Sequence, residues 1–240
     1  MIRLFIAALV LLFSVCNATA DPLILAAGAG YKRVMSDIIE AYEKSGSQRV
    51  DQIYGNMGHI LMQAKGGANI AVIVGERGFL ESSDIKFASF TDIGQGVLVI
   101  AYAKAVRVTA PEDLLKPEIA RVAIPDEKHA IYGKAGMQFL DNTKLLDKLR
   151  GKLLVVSTVP QVSAYLMSGD AEAGFINLTD ALYVKDRIGG YLVLDKALYH
   201  PIKLVVGVVK GYEERPETKS FLEFVTKSPE AKEISRKAGL

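Results

Sequence analysis

The feature that most constrains the fold of this chain is a regular alternation of short apolar runs with segments of helical periodicity. Residues 23–27 form an apolar run of strand length, and residues 70–74 and 97–103 form two more. Between the first two runs, apolar residues recur at steps of three and four, which predicts the buried face of a helix: Tyr31, Val34, Met35, Ile38, Ile39 and Tyr42. A second, weaker helix is predicted after Gly58. Such runs between helices favour a parallel sheet that helices cover on both faces.

The same alternation continues to the C-terminus, which predicts an α/β fold for the whole chain. Further strands are predicted at residues 121–124, 153–156, 173–176, 192–194 and 202–209. Further helices are predicted at residues 132–140, 143–149 and 216–226, with others starting near 158 and 228. Ser228 is a suitable cap for the last of these helices, because Pro229 follows in the first helical position.

The N-terminus has the pattern of a secretory signal peptide, assigned to residues 1–20. Arg3 supplies a positive charge, residues 4–15 are apolar, and Ala18-Thr19-Ala20 is a small-residue cleavage site. The apolar run is too short to span a bilayer comfortably. We therefore expect cleavage after Ala20 and a protein without a membrane span that is soluble in the periplasm.

Cysteine use and charge exclude several classes of function. The one cysteine, Cys16, lies in the signal segment, so no disulfide, thiol nucleophile or cysteine metal site is expected after cleavage. Lipid attachment at Cys16 is an alternative to release, although Val15 is not the small residue that usually precedes a lipidated cysteine. The formal net charge is +2, with 29 Lys and Arg against 27 Asp and Glu, and these charged residues are scattered along the chain. Nucleic acid is therefore not an expected partner.

Five segments join a predicted strand to a predicted helix and carry small or polar residues. They are residues 26–31, 55–59, 125–133, 157–161 and 177–180. Ligands of open α/β sheets bind outside the carboxyl ends of the strands, and a helix N-terminus offers free N–H groups to an anion. Each segment alone is equally consistent with a tight turn that binds nothing. A dinucleotide fingerprint is excluded in the first segment, because Arg33 occupies the position of the third glycine.

Metal and catalytic interpretations are weaker than the binding interpretation. Met57, His59 and Met62 could suit Cu(I), but methionines that fill a core are the favoured alternative, and no metal site or cofactor is predicted. The histidines stand apart in the sequence, without a nucleophile elbow or a phosphate-binding lysine loop. Asp126 and His129 are expected to cap the turn before a helix. We therefore predict a protein that is not an enzyme and has no catalytic residues.

The most informative stretch is residues 168–181, SGDAEAGFINLTDA. It resembles the SGEADAGIVYATDA segment of the periplasmic molybdate-binding proteins, which are receptors of oxyanion ABC importers. Residues 24–45, 55–75, 124–140 and the C-terminal SPEAKEISRKAGL resemble other parts of that family, in the same order.

The resemblance implies a two-lobed periplasmic binding protein of type II, with a three-layer α/β/α sandwich in each lobe. Lobe 1 would comprise residues 21–102 and 204–240, and lobe 2 residues 103–203. The C-terminal helices would pack back on lobe 1. Such a protein would close by a hinge motion on a small anionic ligand, deliver it to an ABC permease and act as a monomer.

The resemblance also indicates ligand-binding residues from both lobes. They are Gly30, Tyr31, Asn56 and Met57 from lobe 1, and Ile131, Val159 and Asn177 from lobe 2. Three positions depart from the family: Gly30 and Met57 replace serines, and Asn177 replaces a tyrosine. Backbone donors at Gly30, Ile131 and Val159 could remain.

These departures leave three interpretations open. A molybdate- or tungstate-type oxyanion could bind through a rebuilt set of donors that includes Asn56, Asn177, Tyr31 or Lys32. The ligand could be a different small anion, such as an organic acid or a phosphorylated compound. The scaffold could also serve as a colonisation or adhesion factor that transports nothing.

Overall fold

The computed structural model describes residues 22–240, which form two α/β lobes. The predicted signal peptide and its cleavage site lie outside the described residues. Within residues 22–240, the helices are too short or too polar to cross a membrane.

The first lobe is built on a five-stranded sheet with the strand order β2-β1-β3-β10-β4. Its strands are β1 (Leu23–Gly28), β2 (Val50–Gly55), β3 (Val72–Glu76), β4 (Phe87–Gly96) and β10 (Ile202–Val209). Its helices are α1 (Lys32–Lys44), α2 (Met57–Lys65), α3 (Arg77–Glu81), α8 (Pro216–Lys227) and α9 (Pro229–Lys237). As predicted, helices α8 and α9 pack back on this lobe, where α9 lies against α1.

The second lobe repeats the design with the strand order β7-β6-β8-β5-β9. Its strands are β5 (Leu98–Tyr102), β6 (Val122–Pro125), β7 (Leu153–Val156), β8 (Ala173–Asn177) and β9 (Gly190–Val193). Its helices are α4 (Ile131–Asn142), α5 (Leu146–Leu149), α6 (Val159–Ser168) and α7 (Leu178–Val184).

Both sheets are mixed, which corrects the prediction of a parallel sheet. Strand β10 runs antiparallel to β3 and β4, and β5 runs antiparallel to β8 and β9. The physical reason is the path of the chain, because β5 and β10 are the strands by which the chain enters one lobe from the other. Each runs against the strands beside it, which precede β10 but follow β5 in the sequence.

The crossings also correct the predicted lobe boundaries. Strand β5 pairs with β8 and β9, so residues 98–102 belong to the second sheet and not to lobe 1. The chain crosses at Val97, between β4 and β5, and returns just before Ile202, the first residue of β10. The boundary between the two sheets therefore lies one strand earlier in the chain than the predicted lobe boundary at residue 102.

The helices follow the periodicity of the sequence. In α1 the buried residues are those predicted to face inward, and they pack with β1 and β2. Strand β4 and the bounds of β2 were not predicted, because the residues of both strands are mostly partly exposed and form no continuous apolar run.

The start of α9 provides a test of local stability. The hydroxyl of Ser228 accepts a hydrogen bond from the backbone N–H of Ala231, as expected for a helix cap. Replacing Ser228 with alanine is expected to lower the free energy of unfolding by about 1 kcal/mol. The effect would be measured by urea denaturation, with Lys232→Ala on the exposed side of the same helix as the control. Equal stability of the two variants would contradict the capping role.

Candidate functional site

Four loops from the two lobes enclose a cavity of about 30 Å³ where the lobes meet. Its lining residues are 28–31 and 55–57 from the first lobe, with 130–132 and 157–159 from the second. Each loop follows a strand and leads into a helix. The predicted convergence of helix N-termini is therefore present in the geometry.

Six of the seven predicted site residues line this cavity: Gly30, Tyr31, Asn56, Met57, Ile131 and Val159. Asn177 lies beside it, because its side-chain amide donates to the backbone oxygen of Gly30 over 2.9 Å. The side chain of Asn177 is fully buried. The structure thus brings all seven residues together.

The start of α2 differs from the prediction, because its N–H groups bond to other parts of the protein. The N–H of Met57 donates to the backbone oxygen of His129 in the other lobe over 2.9 Å, and the N–H of Gly58 points to the same oxygen at 3.4 Å. The side-chain oxygen of Asn56 accepts from the N–H of His59. The N–H groups at this helix N-terminus are therefore already hydrogen-bonded within the protein when the lobes are closed.

Asn56 and Ser157 form a further link between the lobes. The amide nitrogen of Asn56 donates to the hydroxyl oxygen of Ser157 over 3.0 Å. Because Ser157 accepts in this bond, its own proton remains free to donate. Asn56 therefore both caps α2 and helps to hold the second lobe against the first.

A pair of buried tyrosines joins the lobes at the cavity. The hydroxyl oxygens of Tyr31 and Tyr132 lie 2.6 Å apart, and both residues line the cavity. Burial raises the pKa of each hydroxyl above its usual value, so both keep their protons at physiological pH. Two protons and one shared hydrogen bond leave one O–H that can donate to another acceptor.

Tyr132 was not predicted as a site residue from the sequence. It is the first residue of the helix predicted at 132–140, and its partner Tyr31 is 101 residues away in the chain. Only the closure of the two lobes brings the hydroxyls together.

The tyrosine pair is expected to stabilise the closed protein measurably. Replacing Tyr132 with phenylalanine would leave the buried Tyr31 hydroxyl without its partner, which costs about 1–3 kcal/mol of unfolding free energy. Urea denaturation would measure the loss, with Tyr191→Phe at a partly exposed residue as the matched control. A loss no greater than that of the control would show that the pair contributes nothing.

The side chain of Asn177 packs against Gly30, where a side chain is absent. A Cβ atom placed on Gly30 would lie 3.3 Å from Oδ1 of Asn177 and 3.3 Å from Cβ of Val159. These contacts are tighter than ordinary van der Waals packing, so a serine at position 30 would require the side chains of Asn177 and Val159 to shift. The two departures from the family pattern are therefore linked in space.

No formally charged side chain occurs among the described residues that line the cavity. An anion there would depend on backbone N–H groups and hydroxyls. The N–H groups in the first turn of a helix have no partner within that helix, and such turns begin at Ala29, Ile131 and Val159. Helix N-termini also carry partial positive charge, which favours an anion without a cationic side chain.

The turn before α4 has the structural role that was predicted for it. Oδ1 of Asp126 accepts from the N–H groups of Lys128 and His129 and lies 3.0 Å from the His129 ring nitrogen. Although partial burial acts to raise the pKa of Asp126, these hydrogen bonds lower it overall. Asp126 therefore acts as a turn cap.

The structure separates the residues considered for Cu(I). The sulfur of Met57 is buried, 3.5 Å from the position of a Cβ on Gly28, whereas His59 and Met62 are exposed. Among residues 22–240, no three His, Cys, Asp or Glu side chains are grouped to hold a metal ion.

The arrangement is that of a solute receptor, since two lobes joined by two chain crossings close over a small cavity at the strand ends. Residues 23–240 match the family of bacterial extracellular solute-binding proteins, and the chain belongs to that family. Members of this class capture a solute outside the cytoplasm and serve as the receptors of ABC transporters. The predicted two-lobed α/β fold and the resemblance to molybdate-binding proteins are thereby confirmed.

Individual relatives agree with this assignment. The chain is 27% identical over 228 residues to the molybdate-binding protein ModA of Rhodobacter capsulatus, which covers 92% of this chain and 89% of that protein. The periplasmic molybdate-binding protein of Azotobacter vinelandii has a similar fold, with a TM-score of 0.82, 24% identity and coverage of 90% and 97%. The sulfate-binding protein SubI of Mycobacterium tuberculosis H37Rv also shares the fold, with a TM-score of 0.71, 14% identity and coverage of 92% and 86%.

Proposed function

We propose that this protein captures a small tetrahedral oxyanion, the class to which molybdate and tungstate belong, in the cavity between its lobes and delivers it to an ABC permease in the periplasm. The observation that carries the proposal is the convergence of helix N-termini from both lobes on one uncharged cavity. Backbone donors directed at a common point favour a compact anion with acceptors on all sides. The molybdate-binding relatives support the same class of ligand.

The proposed donors differ from those of the family. Met57 offers no polar side chain, and its N–H bonds to His129 in the closed arrangement. We infer that the N–H groups at the starts of the Ala29–Tyr31 turn, α4 and α6 hold the ligand, with one hydroxyl proton of the Tyr31–Tyr132 pair. This set would replace the missing serine and tyrosine hydroxyls.

The size of the cavity supports a small ligand over a large one. A volume of about 30 Å³ compares with the about 10–15 Å³ that one water molecule needs. A tetrahedral oxyanion requires a modest widening of this space. An organic acid with several carboxylates would require the lobes to stay well apart, so we expect it to bind more weakly.

Opening and closing would occur at the two chain crossings, since a hinge between lobes is a common motion of such receptors. Ligand entry would break the contacts between Tyr31 and Tyr132 and between Asn56 and Ser157, and closure would restore them. A monomer that presents both lobes to one permease remains our prediction.

A thermal-shift screen of the protein without residues 1–20 would test the proposal. Molybdate, tungstate, sulfate and phosphate would be compared with citrate and phosphoglycerate. A ligand present at about a hundred times its Kd stabilises by about 3 kcal/mol, which raises Tm visibly. A shift with at least one tetrahedral oxyanion is expected. A shift with the larger anions alone would favour a different solute, and no shift with any compound would contradict the proposal and favour a protein that transports nothing.

A further inference from the structure

The side chain of Asn177 carries an acceptor that the described part of the protein leaves without a partner. Its Nδ2 donates to the backbone oxygen of Gly30 over 2.9 Å, but its Oδ1 is buried and has no hydrogen-bond partner within residues 22–240. Buried acceptors are normally hydrogen-bonded, and each exception requires an explanation.

The orientation of this amide is determined by its neighbour. Rotating the group by half a turn would place Oδ1 against the Gly30 oxygen, so that two acceptors faced each other. Nδ2 therefore faces Gly30, and the unpartnered atom is an oxygen. Any group that satisfies it has to donate a hydrogen.

The unpartnered oxygen lies beside the cavity, close to two of the residues that line it. It is 3.3 Å from the position of a Cβ on Gly30, and Val159 is equally close to that position. Gly30 and Val159 both line the cavity. Because Gly30 has no side chain, a ligand that widens the cavity between Gly30 and Val159 would come into contact with Oδ1.

Resting on the proposed function, we propose that Asn177 selects a tetrahedral oxyanion that carries a hydrogen on one oxygen, as hydrogenphosphate does. Molybdate, tungstate and sulfate are fully deprotonated near neutral pH, so all their oxygens are acceptors. Such an anion would bring an acceptor up to Oδ1 and leave both unsatisfied. A hydrogen-bearing oxyanion donates to Oδ1 and accepts from the helix N-termini with its other oxygens.

Sulfate and hydrogenphosphate at pH 8 provide a matched test, because they have the same charge and nearly the same size. Calorimetry is expected to show at least about tenfold tighter binding of hydrogenphosphate, because one buried acceptor is satisfied by one ligand and not by the other. Molybdate would serve as a second, larger anion without a hydrogen.

Two variants separate selection from general effects on closure. Asn177→Leu keeps the approximate volume and removes the acceptor, so the ratio of the two affinities is expected to fall to about one. Asn177→Ala is the second variant if leucine disturbs the fold. Arg33→Gln is the control, since its ion pair with Asp180 over 3.7 Å also joins the lobes but lies outside the cavity lining. It is expected to leave the ratio unchanged.

The outcomes distinguish this inference from the proposed function. Binding of sulfate or molybdate as tight as that of hydrogenphosphate would overturn the inference and leave the oxyanion proposal in place. A preference for hydrogenphosphate that persists in both Asn177 variants would also overturn it. If none of the three anions binds, the proposed function fails, and the selection by Asn177 fails with it.

Discussion

An Asn56→Asp variant is expected to fold normally but to bind its oxyanion at least about a hundredfold more weakly than the wild-type protein. Asn56 lines the cavity and caps α2 by accepting from the N–H of His59. Aspartate caps a helix equally well, and its charge suits a helix N-terminus. In so small a cavity, however, its carboxylate would lie within several Å of a bound anion. Two like charges about 4 Å apart repel by about 4 kcal/mol at an effective dielectric constant near 20.

The control for this substitution carries the same change of charge outside the cavity. Asn69 is exposed and precedes the N-terminal end of β3, whereas the cavity lies at the C-terminal ends of the strands. Asn69→Asp is therefore expected to bind as the wild type does. Calorimetry would measure affinity, and urea denaturation would verify the fold. Unchanged affinity of the Asn56→Asp protein would show that no anion binds in this cavity.

A Gly133→Ala variant is expected to lose about 3 kcal/mol or more of unfolding free energy. A Cβ at Gly133 would lie 2.2 Å from the backbone oxygen of Pro125 and 2.6 Å from that of Asp126. Backbone atoms at the end of a strand cannot rotate away as a flexible side chain can. The first turn of α4 would therefore have to shift, and such overpacking costs about 1–3 kcal/mol and sometimes more. Ile131 and Tyr132 would be displaced from the cavity as well.

Gly151→Ala is the matched control, because no atom lies within 4 Å of the Cβ it would add. Its stability is expected to stay within about 0.5 kcal/mol of the wild type. Denaturation with urea would compare the three proteins. If Gly133→Ala were as stable as Gly151→Ala, the contact between α4 and the end of β6 would not have the tight geometry described above.

Local patterns predicted much of the fold. The helix face of Tyr31 to Tyr42 and the buried run of β3 are repeated in the structure because periodicity and burial act over a few residues. The direction of β5 and β10 could not be predicted in this way. It depends on where the chain passes between the lobes. An apolar run has the same sequence pattern in a parallel strand and in an antiparallel strand.

The sequence predicted the residues of the site but only part of the hydrogen bonding between them. The loops at Gly30, Asn56, Ile131 and Val159 follow from the rule that strand ends meet at one edge of a sheet. The bonds between Asn56 and Ser157 and between Asn177 and Gly30 join residues 101 and 147 positions apart. No local pattern contains such pairs, and the bond from the N–H of Met57 to His129 that occupies the start of α2 was unexpected for the same reason.

The position of β10 has a consequence for the order in which the molecule can assemble. This strand lies between β3 and the edge strand β4 of the first sheet, and β4 pairs with no other strand of that sheet. Until residues 202–209 are available, the N-terminal lobe lacks the strand that joins β4 to the rest of the sheet, and the ten-residue β4 is unpaired. The second sheet, in contrast, is continuous in sequence from Leu98 to Val193. The lobe that begins the chain is therefore the last to be completed, and the cavity can form only after nearly the whole polypeptide has been released for folding.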